Sequence, residues 1–192
     1  LFNVTLQVPI AEQGSVSGWL EVLAELVIIA TIGAFGALAD RIGRRPVFAL
    51  GFFLLGIGYY LLPLAHSLPE FAAYRAIFAL GSAATGAMLA TVLVDYPKDR
   101  SRESLTAFVY IMNGLGVVVF AVVLAKLPTW IQAAGATPIW AGRCTLFTIG
   151  AICFFSALMM RGLKPGTPTQ KPAREPLLML MRQGFSAGRN PR

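Results

Sequence analysis

Charge is scarce in this sequence, and so are the residues that do chemistry. The 16 Lys and Arg and nine Asp and Glu make up 13% of the chain, where an ordinary soluble domain carries about 25%. With 56% hydrophobic residues there is too little polar surface to cover a water-soluble domain, which excludes one. The single histidine, His66, stands beside Ser67 in a short polar stretch with no other metal-ligand type near it. It reads as a solvated loop residue. The two cysteines, Cys144 and Cys153, fall in one apolar run with no histidine nearby, so they read as packing groups, not as a disulfide or a metal site. A nucleophile with its base, or a His-rich or Cys-rich set, is what an embedded enzyme would need. Neither is present in the sequence, so an enzyme, a cofactor and a metal are not expected.

What the sequence has instead is long apolar runs. Their hydrophobic residues fill whole stretches of about 20, the length that crosses a hydrocarbon layer of roughly 30 Å. Five such stretches are read, at residues 17–39, 46–65, 70–94, 104–127 and 138–160. Turn-forming or charged residues stand at each boundary. The expected fold is an all-α membrane protein, a multi-span helical bundle with five transmembrane helices. Short connections suggest an up-and-down arrangement in which sequential helices are neighbours. The segment before Ser17 is broken by Pro9, Glu12 and Gly14, and the chain begins with Leu and has no basic leader of a signal peptide. It reads as a fragment.

A net charge of +7 raises nucleic acid as a partner, and the placement of the basic residues excludes it. Three (Arg41, Arg44, Arg45) lie between the first and second stretches, and three (Lys98, Arg100, Arg102) between the third and fourth. Seven follow the fifth, from Arg161 to Arg192, so that 13 of 16 fall on one side. By the positive-inside rule that side faces the cytoplasm of a plasma-membrane protein, with the N-terminus outside and the C-terminus inside. A nucleic-acid binder would gather them on one contiguous surface. The domain division follows: a bundle over 1–161, then a linker over 162–192. The linker opens with the Pro-rich, basic "GLKPGTPTQKPAREP". Leu177, Leu178, Leu180 and Met181, between Pro176 and Gly184, suggest a short amphipathic helix on the membrane face.

Between the first two stretches stands "GALADRIGRRPVF". It resembles the signature of the major facilitator superfamily of secondary transporters, Gly-x-Leu-x-Asp-Arg-x-Gly-Arg-Arg/Lys, found in the loop between the second and third helices. The matching residues are Gly36, Leu38, Asp40, Arg41, Gly43, Arg44 and Arg45. Physically, Gly36 lets another helix pack close, Asp40 offers a carboxylate to a helix N-terminus, and Gly43 permits a tight turn. The resemblance implies that Arg44 pairs with an acid at the cytoplasmic end of the fourth helix, the place of Asp95, latching the outward-facing state. "YRAIFALGSAATG" is similar to the family's fourth-helix motif, Arg-x-x-x-Gly-x-Gly, with Arg75 and Gly81 retained and Ala79 in place of the first glycine. "VDYPKDRSRESLTA" looks like the loop that follows. "NGLGVVVFAVVL" keeps Gly114 and Gly116 of the antiporter motif without a proline in the helix, which leaves symport and uniport open. The resemblance thus implies an N-terminal half: helices two to six and the central loop. The first helix and the C-terminal half would then be partners outside this sequence.

An arginine two turns inside a span is expensive and is functional by default, so Arg75 is a candidate for proton coupling or substrate binding. Glu21 and Glu25 are the carboxylates within the first stretch and share a helix face. A carboxyl group withdrawn from water takes up a proton more readily, which makes both candidate proton carriers, Glu25 being the deeper. Asn113 and the Tyr59–Tyr60 pair are further candidates for a substrate path. The functional expectation is a proton-coupled secondary transporter of a small solute, working by alternating access in the lipid bilayer. The alternative is a non-transporting membrane sensor or scaffold on the same fold.

Overall fold

The computed structural model describes the chain at residues 9, 11–95 and 102–162. The segment from 163 to 192, with the expected linker and amphipathic helix, lies outside the described residues, as do Lys98 and Arg100. Five α-helices follow in order: α1 Gln13–Ile42, α2 Arg44–Leu61, α3 Leu68–Asp95, α4 Arg102–Ala133 and α5 Pro138–Gly162. Among the described residues four segments are long and apolar enough to cross a membrane: Ala11–Ile42, Arg44–Leu64, Ala107–Ala133 and Pro138–Met160. α3 is not among these four, so that a fifth span is not established on this measure among the described residues.

Local chemistry sets the ends. α1 passes into α2 through one residue, Gly43, at φ +94°, whose N–H bonds back to the Ala39 carbonyl at 2.9 Å; only glycine adopts that backbone freely. Ser67 caps α3, its Oγ accepting from Glu70 N, while the Glu70 carboxylate accepts from His66 N at 2.9 Å, a variant of the capping box. His66 is exposed in this loop. Gly135, also at φ +94°, ends α4: its N–H bonds to the Gln132 carbonyl and that of Ala136 to Ile131, the paired bonds of a Schellman stop. Thr137 and Pro138 then open α5. The apolar run that ends at Leu127 does not end its helix. α4 continues through Pro128 to Ala133, so the expectation of a proline-free helix is corrected, although no Gly-Pro pair is present.

Packing departs from the expected order. α1 lies parallel on α3 and touches α2 only near their turn, while α2 sits between α3 and α5 and is antiparallel to both. α4 joins through α5, with a slight contact to α3. The spatial order is therefore α1, α3, α2, α5, α4: the sequential pairs α2–α3 and α4–α5 are neighbours as expected, whereas α1 packs on α3 and α5 on α2. A short loop limits only how far apart two helix ends stand. Which faces meet depends on where backbones can approach, and in lipid that is where side chains are small. A Cβ on Gly81 would stand 2.5 Å from Leu55 N, and one on Gly51 would stand 2.9 Å from Thr85 N. A Cβ on Gly58 would stand 2.8 Å from that of Phe78, and one on Gly150 would stand 2.5 Å from the Tyr60 ring. On α3 the small residues Ala79 and Ala83 are fully buried, whereas Gly86 is exposed. At the Gly43 end Ala39, Val47 and Met88 form a small core where α1, α2 and α3 converge.

Much of the outside of the bundle is apolar. Trp19, Ile29, Tyr110 and Phe155 are each more than 60% exposed. Among the described residues no polar or charged residue is buried. Thr31, Thr91, Thr145, Thr148 and Ser156 donate to carbonyls one turn back in their own helices, which hides their hydroxyls from a nonpolar surround. The three tryptophans, Trp19, Trp130 and Trp140, lie at the end of the bundle away from Gly43, each more than half exposed. Such a belt marks a membrane–water boundary.

Two glycines separate close approach from open surface. Gly81→Ala should destabilise the bundle by about 1–3 kcal/mol through overpacking. Gly36→Ala, where an added Cβ meets nothing within 4 Å, should change it by at most about 1 kcal/mol, in the stabilising direction. Thermal unfolding of both variants in detergent checks the contrast, and equal shifts would refute it.

Candidate functional site

Arg75 lies seven residues into α3, about 10 Å along the axis. Its Nη2 meets the Glu21 carboxylate of α1 in an ion pair, with Arg75 24% and Glu21 60% exposed. The other side of the guanidinium rests on Phe78, 5.1 Å from the ring centre and three residues on along the same helix face. Phe78 in turn meets the Tyr59 ring of α2 edge to face at 5.1 Å and 84°. Gly58 makes this possible: with no side chain there, α2 comes close enough for Phe78 to wedge between Arg75 and Tyr59. Three helices thus converge on one arginine in the tryptophan-bearing half of the bundle.

On the sequence alone a salt bridge from either glutamate to Arg75 or to Arg143 is open. The structure selects Glu21. Glu25, one turn deeper, is exposed, as is Asn113 on α4, whose large apolar residues face outward on nearly every side. Neither is brought to Arg75. Tyr60 turns from Tyr59 towards α5, stacking on Phe147 at 5.1 Å and meeting Phe154 at a tilt at 5.6 Å. On α5, Arg143, the other arginine that could meet a glutamate, has a buried Nε with no hydrogen-bond partner among the described residues, its guanidinium lying 5.8 Å over Trp140. Among the described residues no three potential metal ligands gather.

At the opposite end the charged turn is built on Gly43. Asp40 is exposed in the last turn of α1 beside Arg41, and Arg44 and Arg45 open α2, half-buried. An acid at a helix C-terminus and cations at an N-terminus oppose both macrodipoles, so the helices' own stability does not account for them. Arg45 shows one use: its Nε donates to the Met160 carbonyl at 2.7 Å, placing a cation on the last turn of α5 where that dipole is negative. Among the described residues no helix approaches Gly36. Asp95 closes α3, and its side chain lies outside the described residues.

Comparison with known proteins follows these features. The family model of the Major Facilitator Superfamily matches residues 1–189. Magnetosome protein MamZ of Paramagnetospirillum magneticum is 29% identical over 143 residues, 68% of this chain and 22% of that protein. Plastidic glucose transporter 4 of Arabidopsis thaliana is 29% identical over 133 residues, 68% of this chain and 23% of that protein. Riboflavin transporter RibZ of Clostridioides difficile is 30% identical over 112 residues, 55% of this chain and 24% of that protein. The chain spans less than a third of the length of these curated relatives. No solved structure matches it significantly.

If Glu21 and Arg75 hold α1 to α3, a double-mutant cycle of Glu21→Gln and Arg75→Gln should give a coupling of about 0.5–1 kcal/mol, the range for a partly exposed pair. Unfolding of the four species at low salt measures it, and additive effects would show that the pair adds nothing to stability.

Proposed function

Since the chain belongs to the major facilitator superfamily, we propose that it is part of a secondary transporter that moves a small solute across the plasma membrane by alternating access, coupled to protons. Two of its relatives are named for glucose and riboflavin, both small polar molecules, which supports a solute of that kind. The observation that carries the reading is the Glu21–Arg75 pair. Placing a carboxylate and a guanidinium within a membrane span is costly unless each has a use, and here they join α1 to α3.

In the cycle so proposed, Glu21 takes up a proton when its contact with Arg75 opens and releases it when the contact re-forms. Phe78 and Tyr59 keep Arg75 in place meanwhile, so the change is confined to the glutamate's side. At the Gly43 end, Arg44 and Asp95 form the latch that holds one access state and parts as the halves rock. That end faces the cytoplasm, with the N-terminus outside and the C-terminus inside, as the basic residues support. α3 is the fifth span, enclosed between α1 and α2. The bundle belongs to the N-terminal half, residues 162–192 to the central loop, and the open faces around Gly36, Glu25, Gly114 and Gly116 receive the remaining helices.

The test is proton movement in proteoliposomes containing the complete transporter while a panel of small solutes is offered. A solute should drive proton entry into wild-type vesicles. Glu21→Gln should cut that flux at least tenfold, of the order seen on removing a proton-transfer group, while solute exchange persists. Glu25→Gln should have a smaller effect. Proton flux unchanged in Glu21→Gln would refute the assignment, and no solute-dependent flux of any kind would refute transport.

A further inference from the structure

We infer that the groove between α2 and α5 at the Arg45 end binds an anionic phospholipid. The glycine contacts that hold these helices together lie higher up, where Gly56 faces Phe154 and Gly150 faces Tyr60. Below them the helices part and leave a groove of about 870 Å³, walled by Phe53, Phe154 and Leu158, floored by Ala49 and Ala157, and ended by Arg45. Ala49 and Ala157 are buried, whereas Phe53 and Leu158 are 48% and 61% exposed, so the groove opens sideways along two apolar helices. That is where lipid chains run.

Two features set the occupant's chemistry. The walls are hydrocarbon and aromatic, and they lie along segments fit to span a membrane. A free soluble anion would leave them uncovered, and a peptide would bring backbone groups that the walls cannot satisfy. The end of the groove is cationic. The Nε bond to Met160 fixes the Arg45 guanidinium and uses one of its five N–H donors, and Arg41 and Arg44 add positive charge within four residues. A phosphodiester on the Arg45 fork with an acyl chain against Phe53 and Phe154 satisfies both, and a headgroup of net negative charge fits better than a zwitterion. The inference does not depend on the proton-coupling reading, since none of these residues belongs to the Glu21–Arg75 cluster.

Native mass spectrometry of the complete, delipidated protein tests it, with phosphatidylglycerol and phosphatidylcholine of identical acyl chains as probes. Wild type should retain phosphatidylglycerol about fivefold more tightly, as one basic residue at a lipid headgroup provides. Arg45→Gln should bring the ratio near one, and Arg45→Lys should keep most of the preference. Leu158→Trp, which fills the groove from its exposed wall and leaves the cation in place, should lower retention of both lipids. An undiminished preference in Arg45→Gln, or undiminished retention in Leu158→Trp, would overturn the proposal. Thermal unfolding of each delipidated variant keeps lipid loss distinct from misfolding. Should Arg45→Gln not fold, Arg45→Lys and Leu158→Trp decide the matter.

Discussion

The close approach of α2 to its two neighbours is the constraint from which the rest of the bundle follows. Between apolar helices in a bilayer there is no hydrophobic force to draw them together, because lipid tails are as apolar as leucine. Contact has to come from packing, and packing is strongest where backbones nearly touch. Gly51, Gly58 and Gly81 allow this on the α3 side, and Gly56 and Gly150 allow it on the α5 side. α2 thereby becomes the middle of the bundle, and α1 packs on α3 although its chain leads directly into α2. The same contact seats Phe78 between Tyr59 and Arg75, so the candidate site is a consequence of the packing.

Polar groups are placed by the same logic. Hydroxyls inside the helices bond to their own backbone one turn back, which costs nothing in partners and leaves the helix faces apolar. Charged groups gather at the two ends. At one end, Arg75 has a carboxylate on α1 and an aromatic ring on its own helix. At the other, Asp40, Arg44 and Arg45 stand against the helix dipoles, and the reach of Arg45 across to the end of α5 shows the turn joining helices far apart in sequence. A charge arrangement that local helix energetics disfavours points to contacts beyond the helix that carries it.

Much of this was legible in advance. The shortage of charge and the apolar runs identify the solvent, and Gly43 between Asp40–Arg41 and Arg44–Arg45 marks the turn, because a single positive φ between two helices calls for glycine. The ends of the helices were less legible: hydropathy stops with the apolar layer, whereas α4 continues through Pro128 to a glycine stop at Gly135. Gly36 reads as a packing glycine, and among the described residues nothing stands opposite it. Gly56 and Gly150 attracted no notice and carry an interface. Glycine in a helix signals a close approach only when another backbone lies opposite, and periodicity does not reveal what lies opposite.

An all-α membrane protein of the major facilitator superfamily, the residues charged within it and the places where the chain turns can be read from the order of amino acids. Those properties reside in composition, run length and one backbone angle, all local to the chain. The tertiary structure alone decided that α1 lies on α3, that Glu21 rather than Glu25 meets Arg75, and that Arg45 reaches Met160. Each joins residues more than fifty positions apart. In a nonpolar solvent such pairings depend on which small-residue faces fit together, and that fit is a property of surfaces in space.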